Sequence, residues 1–227
     1  MMENQTKHNI IIIGSSGHAM VASDIISLMP EYHIVGYIDA FKLPGTLCRG
    51  LLAVLGNEND LPQLLQTHHI RGGFIAIGDN WVRSLVAARI KALLPDFHFI
   101  NAIHPSAILS PSLTIGSGNM IGANAVINAG TRIGDFTIIN TASCIEHDNI
   151  LEDYASVAPG TTTGGNVNIG AFTAVGIGTV IRHRINIGAH TIIGAGSLVL
   201  KDIPDYNTWY GSPAKMMGMR KAGDKYL

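Results

Sequence analysis

Counting in sixes from Ile103 through Leu109, Ile115 and Ile121 to Val199, every position but one is aliphatic. Sixteen of these seventeen residues are Ile, Leu or Val, and Thr163 is the exception. No insertion disturbs the count over 96 residues, from 103 to 199. An amphipathic helix repeats near 3.6 and a lone strand near 2, so neither explains the pattern. A solenoid with a triangular coil does. Each side is a short strand of about six residues, and every sixth side chain points inward onto its equivalents in the next coils. Three sides make a coil of 18 residues. At a strand spacing of ~4.8 Å the whole prism stands roughly 27 Å tall. Glycine follows the inward residue eight times, at Gly116, Gly122, Gly134, Gly164, Gly170, Gly176, Gly188 and Gly194. Corners with positive φ are the expected reason. The composition agrees: glycine is 26 of 227 residues and charged residues are only 14%, against a usual ~25%.

The first hundred residues follow another rule. Residues 10–13 read as a buried strand, Gly14 to His18 as a loop, 19–29 as a helix stopped by Pro30, and 33–39 as a second strand ending on Asp39. Residues 58–66 read as a helix, 73–77 as a third strand, 81–94 as a third helix ending at Pro95, and 97–100 as a last strand. Strands alternating with helices imply a parallel sheet, a Rossmann-like α/β unit. The turn Gly14-Ser15-Ser16-Gly17 follows a strand and opens a helix, where free backbone N–H groups favour a phosphate. Asp39 stands where an acidic residue often meets a ribose hydroxyl. Gly78 follows the third strand, on the same lip of the sheet. The turn lacks the full dinucleotide fingerprint, so a plain tight turn stays open at this point. The expected organisation is 1–100 as the α/β domain, 101–203 as the solenoid and 204–227 as a tail.

A net charge of −1 argues against a nucleic-acid binder, which needs a basic footprint. No apolar run approaches the ~20 residues that span a bilayer, so no membrane insertion is expected. Two cysteines, Cys48 and Cys144, suit a reduced compartment. A soluble cytoplasmic protein is the expectation.

A solenoid is capable of being purely structural, so informative residues are those its geometry does not require. At Ile145 the following glycine is replaced by Glu146, and His147 and Asp148 come next. An imidazole exchanges protons near neutral pH, and a neighbouring carboxylate fixes its tautomer. Alternation along a strand prevents Glu146 and Asp148 from both reaching the ring, though a corner relaxes this. One coil above His147 lies Gly165 and one below lies Ala129, so the ring has no bulky neighbour. A Gly165 N–H near a histidine base is the pairing acyl transfer needs. A solvated surface histidine in an acidic turn is the plain alternative.

These residues carry a family resemblance over nearly the whole chain. Gly14-Ser15-Ser16-Gly17-His18, Ile103-His104-Pro105-Ser106-Ala107, Asn140-Thr141 and Glu146-His147-Asp148 are part of it. So are Pro159-Gly160, Gly164-Gly165-Asn166-Val167, Gly194-Ala195-Gly196-Ser197 and Gly211-Ser212-Pro213-Ala214-Lys215. The chain resembles the hexapeptide-repeat sugar O- and N-acetyltransferases of the sialic-acid and bacillosamine type. The resemblance implies a left-handed parallel β-helix, acetyl-CoA as donor, no metal, and a homotrimer with sites between neighbouring prisms. It implies a nucleotide-linked amino sugar as acceptor, with a UDP-4-amino-4,6-dideoxy sugar expected and GDP-perosamine or sialic acid as alternatives. By the same resemblance His147 is the general base, Asp148 orients it, and Asn140 is a polar active-site residue. Gly165 offers a backbone donor to the acetyl carbonyl, Ile177 and Ala195 line the pantetheine groove, and His18 and Asp39 bind the nucleotide sugar. Relatives carry a second histidine where this chain has Ser156.

Other classes share the solenoid. A γ-carbonic-anhydrase-like metalloenzyme would use His147 and His183, which are 36 residues apart on one column, but its third ligand position is Gly188 and His190 is displaced. A small-molecule acetyltransferase leaves the α/β unit without a use, and a non-catalytic scaffold leaves His147 without one.

Overall fold

The computed structural model describes residues 7–48, 50 and 52–225; residues 226–227 of the expected tail lie outside them. The α/β unit holds a five-stranded sheet in the order β3-β4-β2-β1-β5. Its strands are β1 (His8–Ile13), β2 (Tyr32–Ile38), β3 (Leu47–Cys48), β4 (Leu52–Gly56) and β5 (Ile70–Ile75). β1, β2, β4 and β5 run parallel, while β3 pairs antiparallel with β4. β1 reads as an unbroken isoleucine run because it is covered on both faces, with Ile10 to Ile13 at most 2% exposed.

Among the described residues three helices accompany the sheet: α1 (Gly17–Ser27), α2 (Leu61–Thr67, after a 3-10 turn at Glu58–Asp60) and α3 (Asn80–Leu93). α1 starts two residues earlier than the sequence reading has it, so His18 lies in its first turn and not in a loop. The β3–β4 hairpin is absent from that reading, being short and half exposed. The expected strand at 97–100 shrinks to a single bridge from Phe99 to Gly73.

The solenoid is a triangular prism of seventeen two-residue strands among the described residues, from Ala102–Ile103 to Leu198–Val199. A first face stacks Ala102–Ile103, Met120–Ile121, Ile138–Ile139, Ser156–Val157, Ala174–Val175 and Ile192–Ile193. A second face runs from Ile108–Leu109 through Cys144–Ile145 to Leu198–Val199, and a third from Thr114–Ile115 to Asn186–Ile187. Partners are 18 residues apart, as Val126 on Cys144 and Ile127 on Ile145. From Ile121 onward the inward ladder is almost wholly buried. Each such aliphatic side chain contributes about 1.5–3 kcal/mol. A second inward column, two residues earlier in each hexad, includes Thr131, Ser143, Thr173 and Thr191. Its hydroxyls donate to corner carbonyls, as Thr131 Oγ1 to Glu146 O at 3.0 Å and Thr173 Oγ1 to Gly188 O at 2.6 Å.

The corner chemistry differs from the expectation. The residue after the inward one does not have positive φ; that conformation falls two residues later, at every sixth position from Gly118 to Gly196. Nine of these fourteen corner residues carry a side chain, including Asp148 (φ 59) and Phe172 (φ 60), so the bend itself does not require glycine. Glycine directly after the inward residue answers to close approach instead. A Cβ on Gly122 would sit 2.6 Å from Thr141 N, and one on Gly170 would sit 2.5 Å from Ala189 N.

The α/β unit packs on the first face. Ala102, Met120 and Ile138 share one apolar cluster with Ile10, Met20 and Ile25. Phe136, Tyr154, Phe172, His190 and Tyr206 stack in a ladder along the corner between third and first faces, with centroids 4.6–5.2 Å apart. Residues 204–225 are more than a tail. Strands Asn207–Tyr210 and Lys215–Met219 form an antiparallel hairpin that extends the first face to eight strands. The hexad count stops at Val199, with Asp205 and Gly211 at its next steps, and so hides this hairpin.

Candidate active site

His147 sits at the corner between second and third faces, just beyond Cys144–Ile145. The left-handed turn at Asp148 brings its carboxylate back to the ring: Asp148 Oδ2 lies 2.8 Å from His147 Nδ1. Both side chains remain more than half exposed, at 54% and 57%. The carboxylate holds the proton on Nδ1 and leaves the Nε2 lone pair free. Nε2 lies over Gly165, where an added Cβ would be 2.4 Å away. Glycine at 165 therefore makes room for the imidazole itself. Among the described residues none accepts a hydrogen bond from the Gly165 N–H.

Glu146 does not join the ring. Its backbone N–H donates to Thr163 Oγ1 at 3.1 Å and its carbonyl accepts from Thr131. Glu146 stands where the equivalent Gly122 meets the backbone nitrogen of Thr141, nineteen residues on. Thr163 is a residue that sequence reasoning missed as functional. Its hydroxyl faces Glu146 N and Asn149 Nδ2 from inside the prism, so it braces the turn that presents His147. The signal was visible as the one break in the aliphatic ladder.

Asn140, Ile177 and Ala195 occupy a different corner, between first and second faces. Asn140 Oδ1 accepts from Thr141 N at 2.8 Å, and Gly196 N donates to Ile177 O at 2.7 Å, which stacks the two coils. Ile177 is 61% exposed and Ala195 is exposed. Within one chain these three lie along the second face from His147. Ser156 lies on the first face, where Asn80 Nδ2 donates to its Oγ at 3.1 Å.

The α/β unit contains a cavity of about 320 Å³ beyond the carboxyl ends of its strands, lined in part by Gly14, Ser15, Ser16, Asp39, Phe41 and Gly78. Gly14 takes φ +96 and donates its N–H to Ile38 O at 2.9 Å, turning the chain across the sheet. Ser16, the residue before α1, makes no side-chain cap, so the first N–H groups of the helix stay open. Ser15 Oγ donates to Asp39 Oδ2, Phe41 N donates to Asp39 Oδ1 at 2.9 Å, and Lys42 Nζ reaches Ser15 O at 2.9 Å. Burial opposes ionisation of Asp39, but the Ser15 hydroxyl, the Phe41 N–H and Lys42 outweigh it. Its carboxyl therefore titrates below the usual range. The sequence reading missed Glu58 and Arg89, which also line the cavity and pair at 2.6 and 2.8 Å.

Gly17 and His18 are not among the lining residues. His18 is turned inward from α1, and its Nε2 is buried without a partner. Burial, and after it the Arg83 charge, lower its pKa to about 4. Among the described residues no three His, Cys, Asp or Glu side chains are grouped to hold a metal, and no helix is long and apolar enough to cross a membrane.

The family model for the PglD N-terminal domain matches residues 9–90. Among solved structures, PerB from Caulobacter crescentus in complex with CoA and GDP-perosamine is 35% identical with a TM-score of 0.85, covering 94% of this chain and 99% of that one. The acetyltransferase domain of PglB from Neisseria gonorrhoeae, in complex with acetyl coenzyme A, is 30% identical with a TM-score of 0.85, covering 93% and 100%. UDP-N-acetylbacillosamine N-acetyltransferase of Bacillus subtilis is 36% identical over 116 residues. That stretch spans about half the length of this curated relative, 51% of each chain. With the α/β unit in front, a left-handed β-helix behind and this likeness along its length, the chain belongs to the PglD-like family of hexapeptide-repeat sugar N-acetyltransferases.

Proposed function

We propose that the protein transfers the acetyl group of acetyl-CoA to the amine of a nucleotide-linked amino sugar, with His147 as general base. The observation that carries this reading is the imidazole held by Asp148 at 2.8 Å, with Nε2 over a glycine whose N–H has no described acceptor. The amine nitrogen attacks the thioester carbonyl carbon, and Nε2 takes the proton it sheds. The Gly165 N–H donates to the carbonyl oxygen as negative charge develops there. The carbon–sulfur bond then breaks, and the proton passes from His147 to the departing thiolate. A general base contributes about 10²- to 10⁴-fold, and holding both reactants in place contributes the larger share.

The crevice suits the nucleotide: open N–H groups of α1 for the diphosphate and the ionised Asp39 for ribose hydroxyls. Ile177 and Ala195 suit the pantetheine arm and Asn140 the polar rim of the same groove. The crevice lies in the α/β unit on the first face, while the groove and His147 occupy two different corners of the prism, which supports a site completed by a neighbouring chain. The second face supports a homotrimer: its outward residues include Ile108 (65% exposed), Val126, Cys144, Val180 (46%) and Leu198. The third face instead presents Thr114, Arg132, Ile150, Asn168 and Asn186, a single apolar residue among polar ones. A cytoplasmic location belongs to the same reading, because acetyl-CoA and nucleotide sugars are made there.

A UDP-linked 4-amino-4,6-dideoxy sugar is the preferred acceptor. The likeness to PerB over 94% of the chain makes GDP-perosamine the second reading. Thiol release from acetyl-CoA, measured against UDP-, GDP- and dTDP-linked amino sugars and free sialic acid, tests the proposal. Release with one nucleotide-linked amine is expected; release with none of them, or only with sialic acid, refutes it.

A further inference from the structure

The largest fully buried side chain among the described residues is an arginine. Arg83 lies one turn into α3, is 1% exposed, and sits where the α/β unit meets the prism. Its guanidinium donates on both sides of that junction. Nη1 reaches Ile77 O at 2.9 Å and Gly78 O at 3.0 Å, both on the lip of the crevice. Nε reaches Phe136 O at 2.9 Å and Nη2 reaches Tyr154 O at 3.2 Å, two corner carbonyls one coil apart. Nη2 also holds Asn80 Oδ1 at 2.7 Å. Asn80, itself 1% exposed, turns its Nδ2 to Ser156 Oγ at 3.1 Å, Thr173 O at 3.2 Å and Phe172 O at 3.3 Å. Three successive coils are therefore tied to the first turn of α3 and to the loop before it.

Apolar packing alone would hold two domains together without the cost of desolvating a guanidinium. What the planar fork adds is fixed direction at several acceptors at once. We propose that Arg83 and Asn80 are positioning residues: they lock the nucleotide crevice to the prism and so set the span from nucleotide to acetyl-transfer site. This rests on the acetyl-transfer reading above and names residues that touch neither reacting atom. Misplacing a bound acceptor by about 1 Å is enough to lose ~10²-fold in rate.

The test uses Arg83→Lys, which keeps the charge but not the fork, and Asn80→Ala. With the best nucleotide-linked amine, kcat should fall at least ~10-fold in each. Affinity for the free nucleoside diphosphate and KM for acetyl-CoA should stay within about threefold of the parent. An unchanged kcat, or a KM for acetyl-CoA that rises in step with the loss, overturns the proposal. Ligand-free hydrogen exchange separates it from the acetyl-transfer reading. Amides of α3 and the sheet should exchange faster in both variants, while those of the coils beyond Ile181 keep parental rates. That uncoupling in a protein without transferase activity would sink the acetyl-transfer reading and leave the lock standing. Parental exchange at every amide would sink the lock.

Discussion

Asp148 is the residue on which the base depends, and its role is testable without touching the ring. Asparagine tolerates the left-handed corner that Asp148 occupies but brings no charge. Asp148→Asn should therefore keep the fold and lower kcat at least ~10-fold in a thiol-release assay. His18 gives a prediction of another kind. Its folded-state pKa of about 4 lies below the unfolded value of ~6.5, so protonation favours the unfolded chain. Its stabilising contribution is full above about pH 6.5 and is lost as the pH falls toward 4. His18→Gln should flatten the decline of urea stability over that window, by up to roughly 3 kcal/mol at its acid end. An equal decline in both proteins would show that other groups carry it. His18 is assigned to the crevice by family resemblance alone, which could not reveal that α1 begins at Gly17 and turns the ring inward.

At the scale of elements, the turn from Glu146 to Asn149 is held from within by Thr163. Thr163→Val keeps the volume and removes the oxygen facing Glu146 N and Asn149 Nδ2. The expected loss is about 1–3 kcal/mol in urea unfolding, together with a lower kcat as the corner loosens. A variant as stable and as active as the parent would show that the turn holds itself. The strands were legible because a six-residue period with buried aliphatic rungs admits few folds. The glycines were legible in position but not in cause. Their reason is a neighbouring coil sixteen to nineteen residues away, which no local rule reports. The β3–β4 hairpin and the final hairpin escaped for the opposite reason, since short strands at an edge carry no alternating signal.

At the scale of the molecule, Val180→Asp places a charge on the apolar second face; if that face makes the proposed trimer, the mass seen in light scattering should shift from trimer toward monomer, with loss of activity. Unaltered mass would mean that this face is not the contact. If the crevice of one chain serves His147 of the next, mixing His147→Ala chains with Asp39→Ala chains should restore activity well above the sum of the two. Which corners hold His147, Asn140 and Ile177 follows from the six-residue count once three faces are drawn. The lock at Arg83 does not, because it joins segments more than fifty residues apart that only the packed domains bring together. In the proposed reaction the exposed imidazole over Gly165 removes the proton from an attacking amine. The most direct test of this step is kcat for thiol release with the preferred nucleotide-linked amino sugar in folded His147→Ala protein. A fall of about 10²- to 10⁴-fold with nucleotide affinity retained is expected; a rate within a few-fold of the parent would show that another group takes the proton.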